Sequence, residues 1–205
     1  MSFSHLPAVC VNEEAQHLLA LTDLTLDAPI LDLGAGSSTF LEALLHAGYT
    51  NLIAADTSAA ALQAHRQQLP PAAREHVLWL VDDVTHAREL RALNPILLWH
   101  DRAMLPLLQL PAQQAAYHEL LGYMVQPGQG WVLLSVPRPG GPTHLGDLPL
   151  QPYTLEALVA FLGSDYALQY QRWYEHLLPD GTRLPSLYAL FKRQQQSATP
   201  FRAAL

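Results

Sequence analysis

A chain of 205 residues, half of them hydrophobic and 14% charged, is too apolar to remain disordered and too short for two full-sized domains. It carries 18 acidic against 11 basic residues, a formal net charge of −7, and lysine is nearly absent, so a nucleic-acid partner is not expected. The single cysteine, Cys10, can form neither an internal disulfide nor a cysteine zinc site.

The elements follow in a regular order. Asn12-Glu13-Glu14 predicts a helix start, with Leu18, Leu19 and Leu21 as its apolar face. Pro29 to Leu33 predicts a buried strand stopped by Gly34. A helix is expected to begin near Ser37 or Ser38, to carry Phe40, Leu41, Leu44 and Leu45 on one stripe, and to end at Gly48. Asn51–Asp56 predicts the second strand and Ser58–Gln68 the second helix. Val77–Val81, Ile96–Trp99 and Trp131–Val136 predict strands three to five, with a helix over Gln113–Val125 before the last. Strands that are apolar throughout belong to sheets covered on both faces. Their alternation with helices implies right-handed crossovers and a doubly wound, mostly parallel sheet.

After Val136 the rhythm changes. A turn-rich stretch, Pro137 to Pro142, leads to a helix over Thr154–Leu162. Extended segments over about Ala167–His176 and Thr182–Lys192 follow, with Pro179-Asp180-Gly181 between them. An antiparallel hairpin thus closes a seven-stranded α/β sheet. One domain is expected over residues 1–193, with a flexible tail over 194–205. Trp79, Trp131 and Trp173 lie in strand-like runs and are expected in the core. No apolar run approaches the ~20 residues of a membrane span. Residues 1–11 lack the basic-then-apolar pattern of a secretory signal. These features predict a soluble cytoplasmic protein without a membrane partner, as a monomer or homodimer.

The most informative stretch is Ile30-Leu31-Asp32-Leu33-Gly34-Ala35-Gly36-Ser37-Ser38. Gly34 and Gly36 permit backbone torsions closed to other residues and let a ligand approach the main chain. The turn falls at the carboxyl edge of the sheet, where open α/β folds bind ligands. A dinucleotide site favours a third glycine where Thr39 stands. Asp56 ends the second strand twenty positions after Gly36, the place from which an acid accepts hydrogen bonds from ribose hydroxyls. Asp82-Asp83-Val84 closes the third strand, and a carboxylate there can accept from an adenine amino group. Ten histidines show no close helical pairing of the kind a zinc site uses, so no metal is expected.

Together, Leu31-Asp32-Leu33-Gly34-Ala35-Gly36, Asp56, Asp83-Val84 and the Gln126-Pro127-Gly128-Gln129-Gly130 turn resemble the class I S-adenosylmethionine-dependent methyltransferase family, over about residues 28–193. Trp99-His100-Asp101-Arg102-Ala103, with Gly141-Pro142, Leu148-Pro149, Tyr153, Glu175-His176 and Tyr188, is similar to one subgroup of small bacterial methyltransferase-domain proteins. The resemblance implies S-adenosyl-L-methionine as cofactor and a small molecule or protein side chain as methyl acceptor. It implies that Asp32, Gly34, Ala35 and Gly36 face the methionine and ribose part, Asp56 with Thr57 the ribose, and Asp83 with Val84 the adenine. Trp99 and His100 would flank the reacting end. His100 and Asp101 are the candidate catalytic residues, His100 as the base if the acceptor must lose a proton. Pro106, Leu145, Asp180 and Leu184 stand where the subgroup usually carries other residues. That leaves a second expectation: a cofactor-binding, methyltransferase-like protein without turnover, acting as a regulatory or scaffolding subunit.

Overall fold

The computed structural model describes residues 17–102, 104–177 and 183–195. The expected helix start at Asn12, the Pro179–Gly181 turn and residues 196–205 lie outside them.

Seven strands form one sheet: β1 (Ile30–Leu33), β2 (Leu52–Asp56), β3 (Val77–Val81), β4 (Leu98–Arg102), β5 (Trp131–Pro137), β6 (Tyr166–Leu177) and β7 (Arg183–Arg193). Their spatial order is β3-β2-β1-β4-β5-β7-β6. β1 to β5 are parallel, and β7 inserts antiparallel between β5 and β6. This is the doubly wound sheet with a closing hairpin expected from the apolar runs. The order reverses between β1 and β4, and that switch point is where such sheets open a ligand crevice.

Helices α1 (Phe40–His46), α2 (Ala59–Gln68), α3 (Pro71–Arg74), α4 (Pro111–Met124) and α5 (Leu155–Leu162) accompany the sheet, and residues 17–20 are also helical. Their ends follow local chemistry. Ser58 Oγ accepts from Ala61 N at the start of α2, and Thr154 Oγ1 from Ala157 N at the start of α5. Pro111 opens α4, where a missing N–H costs nothing. The Arg193 guanidinium, almost wholly buried, donates to the Gly122 and Val125 carbonyls at the other end of α4. A cation there complements the helix dipole.

Period-two alternation splits the strands between two cores. One face puts Leu31, Leu33, Trp99, Val132 and Leu134 against Tyr117, Leu120 and Leu121 of α4 and Leu158 of α5. The other puts Ile30, Leu52, Ala54, Leu98 and Leu133 against Phe40, Leu41 and Leu44 of α1 and Leu62 of α2. Residues on neighbouring positions of one strand therefore meet different environments.

Several expectations are corrected. The helix after the glycine turn does not begin at Ser37 or Ser38; a 3-10 turn over Ala35–Ser37 comes first and α1 starts at Phe40. Strand four runs from Leu98 to Arg102, so it starts later and ends later than Ile96–Trp99; Ile96 makes only an isolated bridge to Val125. Helix α4 begins at Pro111, two residues before Gln113. Leu21 is 42% exposed, beyond the end of its helix, and Trp173 is 49% exposed on the outermost strand. A short ladder, His144–Leu145 with Leu148–Pro149, was not expected within the Gly/Pro-rich connection. Among the described residues no helix is long and apolar enough to cross a membrane.

Candidate active site

The carboxyl ends of β1, β2 and β3 carry the glycine turn and its neighbouring acids. Gly34 lies in the left-handed region, φ 68°, which a residue with a Cβ rarely adopts. The chain can therefore reverse out of β1 at once, and Ala35–Ser37 forms its tight turn. Gly36 is needed for a different reason. A Cβ there would stand 2.4 Å from the Ala61 Cβ and 3.0 Å from Asp56 Oδ2. Helix α2 thus rests directly on the turn.

Asp56 joins the two strands. Its Oδ2 accepts from Gly36 N at 3.0 Å and its Oδ1 from Ser58 N at 2.8 Å. Thr57, beside it, is exposed. Asp82 organises the loop after β3, accepting from Arg88 N and, at 2.9 Å, from Leu90 N. Asp83 is exposed and accepts from Thr85 N and Oγ1, both at 2.8 Å. Burial works against its ionised form, but these two bonds and the nearby His86 hold its carboxyl below the usual range. Val84 turns inward and packs in the core.

Asp32 and His100 are register partners on β1 and β4, and both point to the α1 side of the sheet. Asp32 Oδ1 lies 2.6 Å from His100 Nδ1. Both are buried, and the Phe40 ring stacks on the imidazole with centroids 3.9 Å apart. Asp32 Oδ2 is buried without a hydrogen-bond partner. With Nδ1 taken by Asp32, Nε2 is the nitrogen through which this ring would accept a further proton. His100 was expected after the fourth strand; it lies within it.

Trp99 and Asp101 face the other way. Asp101 accepts from Met104 N at 2.6 Å, Leu105 N at 2.9 Å and Tyr117 OH at 2.7 Å. Tyr117 OH in turn accepts from Trp99 Nε1 at 2.9 Å. All three side chains are essentially inaccessible. Burial raises the Asp101 carboxyl, against the pull of its three donors and of His100. Burial and the facing carboxylate push the Tyr117 phenol well above its ordinary value. This network caps the turn after β4 and ties it to α4. Trp99 presents no surface to a crevice.

The structure therefore gathers Asp32, Gly34, Gly36, Asp56 and Asp83 at the tips of three adjacent strands. His100 stands beside Asp32 beneath Phe40, while Ala35, Trp99, Asp101 and Val84 are inside. The Met104 side chain comes within 3.3 Å of where a Gly34 Cβ would be. Two shallow depressions, of about 420 and 410 Å³, lie elsewhere, against Arg138 and Trp173 and against Leu24 and Tyr49. Two residues of the site were not foreseen. His65 of α2 contacts the turn at Ala35 O, at 2.6 Å, and Tyr117 completes the Asp101 network. A histidine on the inward stripe of α2 and a tyrosine on that of α4 were the available signals.

No family model matches the chain, and no curated protein matches it. Its fold is shared with solved structures. An S-adenosylmethionine-dependent methyltransferase from Methanosarcina mazei is similar at a TM-score of 0.69 and 14% identity, covering 84% of this chain and 95% of that one. A glycopeptide N-methyltransferase complexed with S-adenosyl-L-methionine gives 0.64 and 15%, over 87% and 92%. The 1,6-didemethyltoxoflavin N1-methyltransferase of Burkholderia thailandensis, with S-adenosylhomocysteine bound, gives 0.65 and 19%, over 92% and 79%. The chain has the Rossmann-like fold of the S-adenosylmethionine-dependent methyltransferases.

Proposed function

We propose that the chain is an S-adenosyl-L-methionine-dependent methyltransferase acting on a small molecule or a protein side chain. The observation that carries this is the Asp56–Gly36 link. It fixes an acid at the tip of β2 against a glycine turn at the tip of β1, on a fold whose solved relatives include complexes with that cofactor or its demethylated product.

The side chains fit such a ligand. Each carboxylate oxygen has two lone pairs, and Asp56 uses one of each on the turn and on Ser58. The others suit ribose hydroxyl donors. Asp83 suits an amino donor in the same way. Asp32 Oδ2 is an orphaned buried acceptor two residues before Gly34, and the ligand's ammonium, directly or through water, is the kind of group that would satisfy it. The bound cofactor supplies a methyl group already activated on a sulfonium, so the chain has mainly to position an acceptor and exclude water. The Asp32-oriented imidazole of His100 is the group best placed to take a proton from an acceptor that must lose one.

A second reading is favoured by one observation: His100 lies under Phe40, and Trp99 and Asp101 are wholly committed to structure. A chain with these features could bind the cofactor without turnover and serve as a regulatory or scaffolding subunit. Isothermal titration with S-adenosyl-L-homocysteine tests the first step, and binding at a single site is expected. Transfer of labelled methyl from S-adenosyl-L-methionine to a panel of amine, phenol, thiol and carboxylate acceptors tests the second. Binding with transfer supports the enzyme; binding without transfer to any fraction supports the second reading; no binding overturns both.

A further inference from the structure

His65 is only 3% exposed, yet it belongs to no catalytic candidate. It projects from α2 into the space between the glycine turn and α1. Its Nδ1 lies 2.6 Å from the Ala35 carbonyl, so Nδ1 carries the proton and donates. Its Nε2 is buried without a hydrogen-bond partner, and the Glu42 carboxylate of α1 stands 3.7 Å away. In the neutral ring, Nε2 is a bare lone pair facing a carboxylate, acceptor against acceptor. In the charged ring both nitrogens donate, one to the turn and one toward Glu42. The remaining neighbours are the edge-on Trp79 indole of β3, at 5.5 Å between centroids, and the Asp32 carboxylate of β1, itself paired with His100.

We propose that His65 is a positioning residue for the ligand site. Its imidazolium clamps the Ala35 carbonyl to Glu42 and so holds the Gly34–Gly36 turn between α1 and α2, and loss of its proton loosens that turn. This inference rests on the reading of the turn as the cofactor site. Helix α2 lies so close to the turn that a Cβ at Gly36 would meet Ala61, which puts His65, one helical turn on, within reach of Ala35.

The sign of the pH dependence follows. Burial lowers the imidazole's proton affinity, but the Glu42 contact, the Ala35 carbonyl and the more distant Asp32 together raise it above the ordinary value near 6.5. A raised value in the folded protein means that the clamp is fully formed below about pH 6.5 and is lost as pH rises through the folded-state value.

The test uses the full chain. Affinity for S-adenosyl-L-homocysteine is measured by calorimetry from pH 5.5 to 9, and the amide shifts of Ala35 and Gly36 are followed by NMR beside the His65 ring protons. The wild type should lose about fivefold in affinity across the His65 titration, the low end of typical coupling between two sites. The two amides should move with the ring. His65→Gln, which keeps one donor and no titration, should bind weakly with a flat profile. Glu42→Gln should move the step to lower pH. A flat wild-type profile, or one unchanged in His65→Gln, overturns the proposal. So do amide shifts that follow His65 while affinity does not. If no homocysteine ligand binds at any pH, the cofactor reading fails, and the clamp is then judged by the amides alone: shifts that ignore His65 overturn it, and shifts that track it retain it.

Discussion

His100 and Asp101 are adjacent in sequence, lie on opposite faces of β4, and meet opposite treatment. Asp101 accepts three donors within 2.9 Å, and the phenol that provides one of them is itself hydrogen-bonded by Trp99. His100 pairs with an Asp32 carboxylate that keeps one oxygen buried and unpartnered. A buried polar group with every bond made rigidifies a fold; one with a bond left open carries a cost that a folded chain retains where a ligand can meet it. The two faces of one strand thus differ: on the α4 side every bond of the buried acid is made, and on the α1 side one buried carboxylate oxygen is left open.

Asp101→Ala should break the structural side and give the largest effect. It strands two backbone N–H groups and a buried phenol, and about 3–5 kcal/mol of stability should be lost in urea unfolding. A loss below about 1 kcal/mol would place the network's role elsewhere than in stability.

Next in size is Gly36→Ala. The new methyl would meet Ala61 at 2.4 Å, backed by a helix that cannot yield without leaving the turn. Overpacking of this kind costs about 1–3 kcal/mol, and affinity for S-adenosyl-L-homocysteine should fall at least in step. Unaltered binding would show that the turn is not part of the ligand site.

The contrast between these regions also explains what the sequence reveals. All five parallel strands were located from their short apolar runs, although β1 carries Asp32 and β3, at the sheet edge, leaves Leu78 and Val81 exposed. The closing hairpin was legible from its two extended runs and the turn residues between them. β4 was misread where it turns polar: His100, Asp101 and Arg102 look like a loop, and they stay in the strand because each face supplies partners for its own polar residues. The start of α1 was misplaced because the left-handed Gly34 spends three residues in a 3-10 turn first. The placement of the acids and glycines at the strand tips was legible from their spacing along the chain. The orientation of Trp99 and Asp101 was not, since alternation sends them to the far face. His65 was not because its partners, Ala35 and Glu42, are set by how α2 packs and not by any local pattern.

A smaller effect should come from Tyr117→Phe, which removes one donor from Asp101 and one acceptor from Trp99 while keeping the ring on its edge-to-face contact with the indole. About 1–2 kcal/mol is expected from the stranded groups, read from the shift in urea midpoint at constant slope. If Asp101→Ala and Tyr117→Phe add fully in the double variant, they do not belong to one network, because residues sharing a hydrogen-bond chain couple.

Asp32→Asn should have the smallest effect on stability and is the most telling for the comparison. The amide oxygen can still accept from His100, the buried charge is removed, and the amide nitrogen takes the place of an oxygen that had no partner. Gain and loss are of similar size, so stability should change by about 1 kcal/mol or less. The carboxylate's two proposed tasks, meeting the ligand's ammonium and orienting the imidazole, are both weakened. Affinity for S-adenosyl-L-homocysteine should therefore fall about tenfold, equivalent to roughly 1.4 kcal/mol, in a protein that unfolds almost as the wild type does. A large loss of stability with unchanged affinity would invert the assignment of the two faces, because Asp32 would then be doing for α1 what Asp101 does for α4.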